Sequence, residues 1–330
     1  MNKNDLGVLE IPPQQDGVLV LNKPSGPSSA ACISRIKRLG QKKIGHAGTL
    51  DPLAQGVLLV LLGQATKLSA HLMADGEKVY SGIIRLGVST DTWDILGKTL
   101  AQSSYNHVKE TDIADVVQSW IGKSTQEVPA FSAAKHEGKP LYKLAREGKE
   151  TPVKIKNIEI SQAELLWVKF PQVGFRVTCS SGTYIRSLAH SLGTRLGTHA
   201  TLEALTREYS HPFSLKEAYE VSNFTDNPSL LPECVLPVHK ALPKWLKLIV
   251  SKTDEEKIRH GHSISYQAVE KQIENATNGF ELVDFAEKPF QEGIKALLMN
   301  ENEQTLALAV STTEHGKEVF SVLRGLCPNS

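Results

Sequence analysis

The chain has 330 residues, 40% hydrophobic and 22% charged, with a formal net charge of +1. That is enough for one large core and a smaller second domain, with the composition of an ordinary soluble globular protein. The longest apolar run, VLLVLLG, is far too short to span a bilayer; MNKNDLGVLEIPPQQDG carries no apolar signal core; and Cys32, Cys179, Cys234 and Cys327 form no CxxC pair. A cytoplasmic protein with buried thiols, no metal and no membrane attachment is expected.

In chain order, residues 1–16 form an extension, and GVLVLNKPSG predicts a short buried strand ending in a Pro/Gly turn. SSAACISRIKRLG predicts a helix with Ser28 or Ser29 as N-cap, Ile33 and Ile36 inward, Arg35 and Arg38 outward, and Gly40 as its stop. GHAGTLDPLAQG, residues 45–56, reads as a glycine-flanked loop that presents His46 and Asp51 just before the buried strand VLLVLLG. VYSGIIRLG and GFRVTCSSG predict strands, the second with Phe175, Val177 and Cys179 alternating. TDIADVVQSWIG and TYIRSLAHSLGTRLG carry apolar residues at helical spacing, and Arg186 falls near the first turn of the second. Four prolines cluster in NFTDNPSLLPECVLPVHKALPKW, which places a domain boundary near residues 236/237 and leaves a small β-rich domain over 237–330. With no regular βαβ repeat, the class expected is α+β.

Charge is unevenly spread. Residues 17–50 hold Lys23, Arg35, Lys37, Arg38, Lys42 and Lys43 with no acid, and residues 131–156 hold seven basic residues against three acidic. Residues 270–320 reverse the sign, with ten acids against four lysines. A phosphate backbone held on one side fits this pattern, and so does a pair of solvated helix faces. Asp51 is the best-placed carboxylate, although an Asp-Pro pair by itself is most often a turn. Tyr80 alone is a strand-packing aromatic, Asp91 and Asp94 are turn residues, and Arg186 is a solvent-facing helix residue. SSGTY resembles a backbone nest for phosphate but lacks the GxxxxGK[ST] spacing. GxSxG, HExxH and GxGxxG are absent from the sequence.

Taken in order, GVLVLNKPSGPSS, GHAGTLDPLAQGVL, KVYSGIIRLGVSTDTWDILG, VPAFSAAKHEGKPLYKLAREG and VTCSSGTYIRSLAHSLG resemble the TruB-type tRNA pseudouridine synthases over residues 17–212. The resemblance implies a pseudouridine synthase-like mixed sheet flanked by helices over 17–236 and isomerisation of the uridine at position 55 in the TΨC loop of tRNA. It implies no cofactor and no obligatory protein partner. By the same resemblance Asp51 is the catalytic carboxylate, Tyr80 packs on the target base, Arg186 pairs with Asp51, and His46 takes the space the base vacates. Lys23 and Leu205 fall where the family lines its pocket. The family usually ends in a small PUA-like RNA-binding domain, which IRHGHSIS resembles only at its start, and the acidic residues that follow depart from that pattern.

The chemistry suits these residue types. Uridine and pseudouridine are isomers, so neither redox cofactor nor activated donor is needed. A carboxylate can attack a sugar or base carbon or remove a sugar proton, and a bidentate Arg favours its ionised form. Extruding the base costs a few kcal/mol, part of which an aromatic such as Tyr80 returns by stacking. Two alternatives stand beside this reading: a non-catalytic tRNA-binding factor using the same groove, and a related synthase guided to another RNA by partner proteins. The acidic balance of residues 270–320 further predicts that a chain ending near Pro237, once folded, keeps activity on a T-arm hairpin and loses affinity for full tRNA.

Overall fold

The structure, a computed structural model, describes residues 11–74, 76–277 and 290–327. A ten-stranded mixed sheet organises the chain from Gly17 to Glu220. From one edge its order is Tyr219–Glu220, Gly17–Lys23, Gln55–Leu62, Ala200–Ser210, Lys78–Leu86, Gln172–Cys179, Ile155–Lys169 and Gly122–Glu127, with Ile44–Ala47 and Phe213–Ser214 joined off this path. The expected α+β class and helix-flanked mixed sheet are what is found.

Strands Gly17–Lys23 and Gln55–Leu62 pair antiparallel, Val18 opposite Leu61 and Leu21 opposite Leu58. Leu19, Leu21, Leu58, Val60 and Leu62 face one way, into a core shared with Ile33 and Ile36 of helix Ser29–Lys37 and with Leu188, Ala189 and Leu192 of helix Ile185–Arg195. Val18, Val20, Val57, Leu59 and Leu61 face the other way, onto Val238, Leu242, Trp245, Leu297, Met299 and Leu308. A strand covered on both faces needs apolar residues at every position, which is why VLLVLLG does not alternate.

Beyond Leu236, whose backbone pairs with Val18, a five-stranded sheet forms in the order Leu246–Ile249, Lys295–Met299, Thr305–Glu314, Lys317–Gly325 and Ile264–Ser265. It has its own core around Leu248, Ile258, Leu298 and Phe320. Of the acidic stretch over 270–320, residues 278–289 lie outside the described residues, as do residues 1–10 of the N-terminal extension. The described part of that extension is tied down: Gln15 N–H donates to Gln41 Oε1 at 2.9 Å and Asp16 Oδ1 accepts from Gln64 N–H at 2.5 Å. No helix among the described residues is long and apolar enough to cross a membrane.

The shared apolar face revises the expectation for a shortened chain. Ending at Leu236 would uncover Val18, Val20, Val57, Leu59 and Leu61 and remove the side chains packed on them. At about 1.5–3 kcal/mol for each buried side chain, the loss is on the order of 10 kcal/mol, comparable with the whole stability of a domain. The shortened protein is expected to lose its cooperative urea transition and to bind a hydrophobic dye. A midpoint equal to that of the full chain would show that the two sheets are energetically independent.

Candidate active site

Asp51 stands on the loop between strands Ile44–Ala47 and Gln55–Leu62, and its side chain is 40% exposed. The loop is held from behind by the segment that follows the first strand. Ser29 Oγ donates to Leu50 O and accepts from Leu50 N–H, both at 2.9 Å; Ser25 Oγ donates to Leu53 O at 2.9 Å; and Gly26 N–H donates to Pro52 O at 2.8 Å. Lys23, fully buried, donates from Nζ to Ala54 O at 2.5 Å and to Pro24 O at 2.9 Å. The short side chains and glycine of NKPSGPSS therefore clamp residues 50–54 at nearly every backbone carbonyl, so that the Asp51 carboxylate projects from a fixed backbone. Ser28, not Ser29, caps the helix by accepting from Ala31 N–H at 3.2 Å, which leaves Ser29 for the loop.

The partner of Asp51 comes from the first turn of helix Ile185–Arg195. Arg186 Nε lies 2.9 Å from Asp51 Oδ2, with only 5% of the arginine side chain exposed. The expected bidentate geometry is not found. Nη1 donates to Thr92 O at 2.8 Å and Nη2 to Phe131 O at 2.9 Å, so the guanidinium spends its remaining edges on two backbone carbonyls. Asp94 Oδ2 stands 4.0 Å from the same Nε. The Asp94 carboxyl is pushed up by burial, and the Thr92 hydroxyl, Arg186 and the Leu96 N–H pull it partly back. Asp91 does turn work, accepting from Lys98 N–H at 2.8 Å.

Asp51, Arg186, Tyr80 and Leu205 line one cleft of about 330 Å³. Tyr80 is 7% exposed, and its hydroxyl is pushed up by burial, with the Arg207 guanidinium pulling it partly back. Ser132 also lines this cleft, with its hydroxyl buried and without a hydrogen-bond partner among the described residues. Two of the residues singled out above lie outside the lining. Lys23 is sealed beneath the loop, with its three donors committed to carbonyls, so it supports the site and cannot touch a substrate. His46 sits on the strand entering the loop, with Nε2 3.0 Å from Thr49 Oγ1. Burial, helped by Arg207, lowers its imidazole below the usual range, which leaves it neutral at pH 7.

Sequence reasoning does not reach Lys78, Lys156, Tyr184 and Arg207, which line the same cleft. Arg207 is 1% exposed, donating from Nε to Val57 O at 2.7 Å and from Nη2 to Gly48 O at 2.9 Å. It thus ties the start of the Asp51 loop to the strand Gln55–Leu62 that follows it. Its strand, Ala200–Ser210, is bulged between Leu202 and Ala204 and again between Arg207 and Tyr209, which breaks the alternation that would have marked it.

The sequence model of the TruB family pseudouridylate synthases (N-terminal domain) matches residues 36–185. A protein of Nitratidesulfovibrio vulgaris named tRNA pseudouridine synthase B is 56% identical over 96% of this chain and 99% of its own length. One of the same name from Oleidesulfovibrio alaskensis is 58% identical over 95% of this chain and 97% of its own. Among solved structures, a Cbf5–Nop10–Gar1 complex matches with a TM-score of 0.68 at 23% identity, covering 95% of this chain and 86% of the matched one. An H/ACA RNP bound to a substrate RNA containing 2′-deoxyuridine matches at 0.67 and 22% identity, over 94% of this chain and 85% of that one. At that identity the structural likeness speaks for the fold alone.

Proposed function

The chain belongs to the TruB family of pseudouridylate synthases, and from that premise we propose that it is the tRNA pseudouridine-55 synthase, converting the uridine at position 55 of the TΨC loop with Asp51 as the reacting carboxylate. The observation that carries this reading is one carboxylate on a clamped loop, 2.9 Å from a buried guanidinium, at a cleft walled by Tyr80 and Leu205. The uridine is extruded from the T-loop, its base packing on Tyr80 and Leu205. His46, neutral and at the start of the same loop, takes the place the base leaves in the RNA.

The reaction breaks the N1–C1′ bond and joins C5 to C1′. N1 gains a proton and C5 loses one, so the atoms of uridine balance without a cofactor. Asp51 acts as nucleophile or as the base that removes a sugar proton; both routes use the carboxylate that Arg186 Nε pairs with at 2.9 Å. The protein works in the cytoplasm on the T-arm without a protein partner. Purified protein given only an unmodified tRNA transcript labelled with tritium at uridine C5 should release label stoichiometrically with one site, and a transcript carrying cytidine at position 55 should release none. Equal release from both transcripts would overturn the positional assignment, and no release from either would overturn the activity.

Recognition of the arm is assigned to the two basic stretches of the sequence. Lys42 and Lys43 are exposed immediately before the strand that leads to the Asp51 loop, and Lys135, Lys139, Lys143, Arg146 and Lys149 are exposed just beyond Ser132. Replacing Lys42 and Lys43 together by Glu is expected to weaken tRNA binding at least tenfold and to flatten the salt dependence of log K by about one to two. An unchanged slope would mean that these lysines are merely solvated.

A further inference from the structure

The cleft holds more positive charge than its carboxylates use. Asp51 and Asp94 both face Arg186. Lys78, Lys156 and Arg207 line the same cleft, and among the described residues none of the three forms an ion pair with a carboxylate. Lys78 is only 6% exposed and donates from Nζ to the Ser181 hydroxyl at 2.8 Å, a neutral partner. The same Ser181 hydroxyl donates to Met73 O, so it is fixed in place. Lys156 brings its Nζ to where a Cβ on Gly182 would stand, and Gly182 has a φ of +82°. Two ammonium groups thus converge on one tight turn, Ser181–Gly182, from strands Lys78–Leu86 and Ile155–Lys169.

Burying a cation without an anion is costly, and the cost is visible at Lys78. Burial, with Arg207 and Lys156 adding repulsion, lowers its ammonium to about 8. A uridine base is neutral and offers nothing to offset this, whereas the nucleotide's backbone does. Resting on the reading of Asp51 as the group that meets a flipped uridine, we propose that Lys78, Lys156 and the Ser181–Gly182 turn seat one of the two phosphodiesters that bracket that nucleotide. The seat would fix the ribose by its backbone while the base is free to detach and turn over, since the phosphate stays put through the whole isomerisation. Arg207, only 1% exposed and held by Val57 O and Gly48 O, contributes field and no contact.

The test is a double-mutant cycle on binding. T-arm hairpins are made with a single uncharged methylphosphonate linkage on the 5′ or the 3′ side of the target uridine, and dissociation constants are measured for the wild type and for Lys156→Met, an exposed position whose change leaves the fold intact. Lys156→Met is expected to weaken the all-phosphate hairpin about tenfold and to lower its salt slope by about one. On one of the two neutral-linkage hairpins the same substitution should cost less than about twofold, because the contact is already gone. Ser181→Ala, which loosens Lys78, should show the same selectivity for that linkage. Equal losses on all three hairpins would overturn the seat. Turnover of the all-phosphate hairpin by the wild type reads the parent reading separately: an RNA that binds with the expected coupling yet is never converted would sink the isomerase assignment and keep the phosphate seat.

Discussion

A folded Asp51→Asn protein is expected to lose at least about four orders of magnitude in pseudouridine formation while binding tRNA as tightly as the parent. Asn keeps the size of the side chain and its capacity to support the Asp-Pro turn, so a purely structural Asp51 would tolerate it. The structure sharpens this contrast. The loop is held by Ser25, Gly26, Ser29, Lys23 and Arg207 through the backbone of residues 48–54, and none of those bonds involves the Asp51 carboxylate. The substitution therefore removes charge and nucleophilicity from a loop that stays where it is, and a melting temperature close to that of the wild type should accompany the lost turnover. Near wild-type turnover by this variant would overturn the role given to Asp51 and favour a tRNA-binding factor.

How much of this was legible from the sequence follows the range of each interaction. Helix Ser29–Lys37 and strand Gln172–Cys179 are written in local periodicity, and both form with the expected faces buried. Asp51 stood out because glycine and proline around it are local turn signals. What eluded sequence reading is long-range. Arg186 reads as an exposed first-turn residue until Thr92 and Phe131, 94 and 55 residues away, bring their carbonyls to it. The family resemblance places Lys23 in the pocket lining, yet its partners are the carbonyls beneath the loop, which only the folded chain brings to it. Arg207 lies on a strand whose two bulges hide its period. The covered second face of strand Gln55–Leu62 shows in sequence only as an unusually long apolar run, with nothing to say that its cover comes from residues beyond 237.

Arg186→Met is expected to damage both stability and catalysis, and the two effects can be separated through Asp94. The substitution strips Thr92 O and Phe131 O of their donors and leaves Asp94, 10% exposed, without its cation. Breaking such a buried arrangement costs about 3–5 kcal/mol. It also removes one of the influences that hold the Asp94 carboxyl down, so that carboxyl, already raised by burial, rises further. A native carboxyl raised above its unfolded value binds its proton more tightly in the folded state, so stability falls as pH climbs from the unfolded carboxylate range through the folded value. The variant's deficit relative to wild type should therefore be larger at pH 7 than at pH 5 in urea titrations. Adding Asp94→Asn, which keeps hydrogen-bonding capacity without charge, should recover part of the stability at pH 7 and erase that pH dependence. Turnover should not return: without the guanidinium 2.9 Å from Asp51 the carboxylate loses its charge partner, and the rate is expected to stay about a hundredfold or more below wild type. Recovery of turnover together with stability in the double variant would mean that Arg186 serves the fold alone and that Asp51 reacts without it.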